Sequence, residues 1–189
     1  MNHSSLIVPS RRLFLRNGGA AMLSGTAVAL LAGREALAQA APKGNVEGDI
    51  KILNTALGLE FEAIAAYSAG APLRKDKVLK VAKTFQDHHK EHAELLEKTV
   101  KKLGGTPVKG KAVADYNFPV DKLKKQEDVL KFAAKLERGA ASAYLGAVPV
   151  FSLPELQTAA ARLVADESMH WVVLQNALGE DLPDALSIS

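Results

Sequence analysis

Four stretches of this chain carry apolar residues at alternating spacings of three and four. Each of these stripes is interrupted at its middle by carboxylates or imidazoles. The first reads Leu53, Leu57, Glu60, Ile64, Tyr67, and the second Val78, Ala82, Phe85, His89, His92, Leu96, Thr99, Leu103. The third reads Leu130, Ala134, Glu137, Ala141, Tyr144, Val148, and the fourth Leu156, Ala160, Leu163, Glu167, His170, Leu174. The spacing is that of an α-helix with one face turned to a core. Apolar residues make up 48% of the chain and aromatic ones only 5%, which suits helices packed through small and medium side chains.

The sequence marks where these helices end. The first is expected from about Asp49 to Ala69, with Gly70 and Pro72 as its stop. The second starts near Asp76, an N-cap candidate, and ends at Gly104-Gly105; the third covers about Gln126 to Val148. The fourth opens on Ser152-Leu153-Pro154-Glu155, which reads as a capping box, and closes at Gly179. The first and last connections are short, so each flanking pair of helices should form an antiparallel hairpin. The middle connection, Gly104 to Lys125, is rich in Gly, Pro and Lys, and a loop of that length in a small domain needs a structural reason. The pattern predicts an all-α four-helix bundle, two antiparallel hairpins joined by one long crossover. The hairpins also read as copies of one another. Leu59-Glu60-x-x-Ala63-x-x-Ala66-Tyr67 matches Leu136-Glu137-x-x-Ala140-x-x-Ala143-Tyr144.

In an antiparallel hairpin, residues equidistant from the turn lie at the same height. The midpoint of Glu60 and His89 falls between Arg74 and Lys75, at the first turn, and the midpoint of Glu137 and Glu167 is Ser152, at the last. Glu60, His89, His92, Glu137, Glu167 and His170 should therefore share one layer across the bundle. Buried carboxylates cost several kcal/mol each, against a total stability of about 5–15 kcal/mol for a domain. No Lys or Arg lies on any stripe near that layer. A divalent cation is the simplest compensation, and i, i+3 pairs such as Glu167/His170 and His89/His92 can both reach one ion. Glu62, Glu91 and Glu94 fall off the stripes and are expected in solvent. His88 sits one step off and is expected to be solvated or to back a ligand. Asp87 and Asp166 can hold ligand imidazoles or stand as solvated caps. Tyr67 and Tyr144 are expected to pack in the core, with hydrogen bonding to the ligands or electron relay as the alternative. Met169 and Trp171 are expected to pack.

The first forty residues have another character. Ser10-Arg11-Arg12-Leu13-Phe14-Leu15-Arg16 resembles the twin-arginine export motif. An apolar run from Gly18 to Ala32 follows it, and Ala36-Leu37-Ala38 reads as a small-x-small cleavage site. The run is shorter than the ~20 residues that span a bilayer. The expected organisation is a signal peptide over 1–38, a linker over 39–48, the bundle over 49–179 and a tail over 180–189. Residues 1–38 hold four arginines and one glutamate, net +3, and the whole chain is also +3. The remainder is then neutral, and the basic balance is no sign of nucleic-acid binding. The chain has no cysteine, which excludes disulfides and thiolate metal sites. Of its five histidines, all but His3 fall in the two clusters named above.

These residues resemble the ferritin-like superfamily, and more closely its exported ferritin-like domain proteins. The family pattern is a Glu on two helices and Glu-x-x-His on the other two. Glu60, Glu137 and Glu167-x-x-His170 match it, while the second helix carries His89-x-x-His92 in place of Glu-x-x-His. The resemblance implies one or two transition-metal ions, iron or manganese first and zinc as an option. It implies a non-haem redox protein of ferroxidase, peroxidase or catalase type, acting on peroxide, O2 or Fe2+ in the periplasm or outside the cell. The implied partners are metal ions, small oxidants, the twin-arginine translocase during export and, as an option, a second copy. The alternatives are metal storage without turnover and a purely structural stress-protection bundle.

Overall fold

Helical periodicity over these stretches produces helices at the expected places. The computed structural model describes residues 46–73, 76–185 and 187–188. The expected signal peptide lies outside the described residues, as does the linker as far as residue 45. Among the described residues there are four long helices and no strand. They are α1 (Val46–Gly70), α2 (Asp76–Lys102), α3 (Gln126–Ala147) and α4 (Pro154–Leu178). None of them is long and apolar enough to cross a membrane. The hairpins α1–α2 and α3–α4 are the closely packed pairs, and α1 also lies against α3.

Each helix end has its own local cause. Gly179 adopts the left-handed conformation (φ 75°) that closes α4, as a C-terminal glycine does. The capping box expected at the start of α4 does not form. Leu153 is the N-cap and Pro154 takes the first turn, where its missing N–H removes no bond. Ser152 instead ties α4 to α1. Its backbone N–H donates to Asp49 Oδ1 at 2.9 Å and its hydroxyl donates to Asp49 Oδ2. Asp49 lies in the first turn of α1, because that helix starts at Val46 rather than near Asp49.

The four stripes form the core with one shift. On α2, Val100 is fully buried while Thr99 is only half-buried, because a 3.6-residue period drifts from strict alternation of three and four. Two apolar slabs result. One joins Leu53 and Leu57 to Leu96, Val100, Phe151 and Leu163. The other joins Tyr67 and Phe85 to Leu130, Ala134, Trp171 and Leu174. The Glu/His layer lies between them.

The long crossover has a structural role. Tyr116 and Phe118 stack with ring centroids 5.4 Å apart. They pack on Ala65 and Ala66 of α1, with Phe132 and Leu136 of α3 beside them, so the connection covers the outside of the α1/α3 pair. Asn54 anchors its start through Thr106 O (3.0 Å) and Val108 N (2.8 Å). Gly105 makes the close approach possible, since a Cβ there would lie 2.7 Å from Ile50 Cγ2. At the other end of the chain, Ser187 O accepts a bond from Arg138 Nη2 at 3.0 Å, and Ile188 packs on the second slab.

Asp49 is 1% exposed, so Asp49→Ala leaves the Ser152 N–H without its partner. A loss of about 1.5–3 kcal/mol is expected from urea unfolding, with Asp49→Asn recovering part of it. An unchanged midpoint would contradict this role.

Candidate metal centre

Antiparallel pairing brings the six side chains to one height. Glu60 comes from α1, His89 and His92 from α2, Glu137 from α3, and Glu167 and His170 from α4. All six are buried, with at most 7% of any residue exposed. They form two overlapping groups, Glu60–His89–His92–Glu167 and His89–Glu137–Glu167–His170. Within each group, one ligand atom per residue lies within 4.8 Å of all the others.

His89 Nδ1 is 2.8 Å from Glu60 Oε2, and its Nε2 is 3.2 Å from Glu137 Oε1. His92 Nδ1 is 3.1 Å from Glu167 Oε1. His170 Nδ1 is 3.2 Å from Glu137 Oε2 and 3.5 Å from Glu167 Oε2. Both Glu167 oxygens and His92 Nδ1 are buried and make no hydrogen bond. They approach other donor atoms closely without the directional geometry of a bond. Leaving such atoms unmatched is costly, and converging lone pairs are the arrangement a cation needs. Carboxylates and imidazoles suit Fe, Mn or Zn, so this donor set fits a transition-metal ion.

A surrounding shell holds these side chains in place. Tyr67 on α1 donates its hydroxyl to Glu137 Oε1 on α3, and Tyr144 on α3 donates to Glu60 Oε1 on α1. The repeat seen in the sequence is thus a crossed pair of bonds, each hairpin holding the other's glutamate. Both tyrosines pack in the core as expected, Tyr67 in one slab and Tyr144 in the other, and their hydroxyls also end at carboxylates. Asp166 Oδ2 lies 3.3 Å from His92 Nε2. Asp87 takes no part and pairs with Lys90 at the surface. His88 is half-buried, with its Nδ1 2.9 Å from His170 Nε2. Phe85 stacks on the His170 ring at 4.1 Å. Trp171 is buried beneath the Arg138 guanidinium, 5.4 Å away. Met169, expected to pack, is 48% exposed, whereas Glu62, expected in solvent, is 3% exposed. The burial of Glu62 follows from the width of the buried arc on α1, which reaches residues beside the central stripe, whereas Met169 falls outside the arc of α4.

The electrostatics follow from this geometry. Burial would raise the Glu60 carboxyl, but hydrogen bonding and charge from His89 and His92 outweigh it and bring it to about 2, from 4.5. Burial likewise opposes ionisation of Glu137, yet the charge of His89 and a bond to His170 hold it well below its ordinary value. Burial would lower His92, but Glu167 and Glu60 raise it from 6.5 to about 10. His89 is raised well above 6.5 by Glu137 and Glu60 against its burial, and His170 is raised by Glu137 and Glu167. Glu167 is the exception. Burial and the charge of Glu60 push it up to about 7, against the pull of His170 and His92.

Two predictions arise here. Tyr67→Phe and Tyr144→Phe should each cost about 1.5–3 kcal/mol by denaturant unfolding, because each leaves a buried carboxylate short of a bond. Near-equal losses are expected from their matching geometry, and no loss in either would contradict it. The second concerns pH. His92 has a raised folded value, so its contribution is whole below pH 6.5 and lost as pH climbs through about 10. Glu167, also raised, favours the fold below pH 4.5 and loses that contribution as pH rises through about 7. Glu60, lowered, stabilises above pH 4.5 and loses its contribution as pH falls through about 2. Thermal unfolding of chelator-treated protein should therefore show stability falling between pH 6.5 and 10. Metal replaces those protons, so loaded protein should fall less; identical profiles would contradict the assignment.

Comparison with known proteins gives the family and the fold. Residues 48–180 match the family model of the ferritin-like domain. A solved structure from Bacillus anthracis str. Ames, described as ferritin-like, diiron-carboxylate proteins, is 25% identical. It aligns over 72% of this chain and 99% of its own, with a TM-score of 0.57. A conserved hypothetical protein from Mycobacterium tuberculosis shares the fold at 17% identity and a TM-score of 0.66, over 76% of this chain and 98% of its own. No curated protein matches the chain.

Proposed function

Because the chain belongs to the ferritin-like domain family, we propose that it is an exported non-haem metalloprotein of redox type. In this reading it acts on peroxide, O2 or Fe2+ in the cell envelope, in defence against oxidative stress. Glu60, His89, His92, Glu137, Glu167 and His170 would hold one or two transition-metal ions. The observation that carries the reading is Glu167, a fully buried carboxylate with neither oxygen hydrogen-bonded, facing donor atoms from α2 and α4. Iron is favoured by the diiron-carboxylate description of the Bacillus anthracis structure, and manganese and zinc also suit the carboxylate and imidazole set. Export is supported by Arg11-Arg12 in their motif, the apolar run behind them and Ala36-Leu37-Ala38.

A bound iron or manganese ion would supply one-electron redox chemistry and a Lewis-acid centre. The chain's own residues do the rest. Tyr67 and Tyr144 keep Glu137 and Glu60 aimed inward, and Asp166 and His88 orient His92 and His170. The apolar slabs above and below limit water around the layer.

The test is aerobic oxidation of added Fe2+, and consumption of peroxide, by the wild-type protein and Glu167→Gln. Wild type should turn over one of them, and the variant should lose at least tenfold. Metal binding without turnover would leave storage as the function. The variant should also be as stable as wild type, or more so, when metal-free, since it removes a buried carboxylate without a hydrogen bond.

A further inference from the structure

The three imidazoles of the layer are not used alike. His92 and His170 each turn Nδ1 inward and have an outer partner on Nε2, Asp166 for one and His88 for the other. An outer contact of that kind fixes the ring so that the inner nitrogen can ligate. His89 has no outer partner among its hydrogen bonds. Its Nδ1 lies 2.8 Å from Glu60 Oε2 and 3.8 Å from Glu167 Oε1, on the side completed by His92. Its Nε2, on the opposite edge, lies 3.2 Å from Glu137 Oε1, on the side completed by His170. The side chain is 1% exposed, so neither nitrogen is left to solvent. Glu167 divides in the same way, Oε1 toward His92 at 3.1 Å and Oε2 toward His170 at 3.5 Å.

We propose that His89 is shared between two metal subsites. Its Nδ1 serves an ion held with Glu60, His92 and Glu167, and its Nε2 serves a second ion held with Glu137, His170 and Glu167. This rests on the metal-binding reading above and adds to it the number of ions and the ligand between them. A ring that serves two cations releases both N–H protons to solvent and stays as the imidazolate anion. Charge then balances. The three carboxylates carry −3 and the imidazolate −1, which together match two divalent cations in a buried layer. The His-x-x-His on α2 is in this way a means of bridging with nitrogen where a carboxylate would bridge with oxygen.

Zn2+ is a suitable probe because it has no redox chemistry of its own. The full chain and its His89→Ala, His92→Ala and His170→Ala variants would be loaded with Zn2+ and dialysed. Bound zinc would be measured by elemental analysis, with circular dichroism to confirm the helices. Wild type should hold two ions, His92→Ala and His170→Ala one each, and His89→Ala neither, because of the three histidines His89 alone belongs to both subsites. A His89→Ala variant that retains an ion, or a wild type that holds a single ion, overturns the sharing; the latter leaves the metal-binding reading intact. If His89→Ala does not fold, anomalous diffraction from zinc-loaded wild type decides the matter. A peak beside each His89 nitrogen upholds the proposal, and peaks that leave one of those nitrogens without metal overturn it. A wild type that binds no zinc overturns both the sharing and the reading beneath it.

Discussion

Six ionisable side chains sit in the middle of an apolar core, and the rest of the structure depends on how their charge is matched. Three carboxylates and three imidazoles are buried together, and among the described residues no Lys or Arg pairs with them. Without metal, the imidazoles hold protons above their ordinary range and two of the carboxylates stay ionised beside them. Glu167 is the exception, at ion-pair distance from His92 (3.1 Å) and His170 (3.5 Å) but with no well-directed hydrogen bond and its carboxyl pushed up. A layer of this kind, about several kcal/mol per buried ion before compensation, is poorly explained as a device for stability alone. It is well explained as a ligand set.

The bundle serves that layer through its pseudo-symmetry. Each hairpin supplies one glutamate from its first helix and one tyrosine that crosses to hold the other hairpin's glutamate. The two halves are therefore joined at the centre by polar bonds as well as by the apolar slabs on either side. The crossover adds a cover outside α1 and α3, which explains a connection too long to be a plain turn. At the far end, Asp49 and Ser152 fix the start of α1 against the turn before α4.

Much of this was legible in the sequence because helical periodicity and hairpin symmetry are both counting arguments. They place Glu60, His89, His92, Glu137, Glu167 and His170 in one layer without any knowledge of packing. What was hidden depends on direction and reach rather than spacing. The tyrosines lie seven residues beyond the glutamates, which gives their face but not the crossing between hairpins. Ser152 and Glu155 have the spacing of a capping box, yet Pro154 sets the helix start and Asp49, distant in sequence, takes the serine. Asp87 and Asp166 are alike in sequence context, one residue before a candidate cluster, but only Asp166 reaches an imidazole. The burial of Glu62 is set by the width of the packed arc, which a single stripe does not express.

The central claim is that a metal ion completes the layer. It is tested most directly by elemental analysis of the protein purified from the cells that make it, without added metal. The account predicts one or two transition-metal ions per chain, removed by chelation with a fall in thermal stability. A well-folded protein that arrives with no metal, and is not stabilised by added Fe2+, Mn2+ or Zn2+, would contradict it.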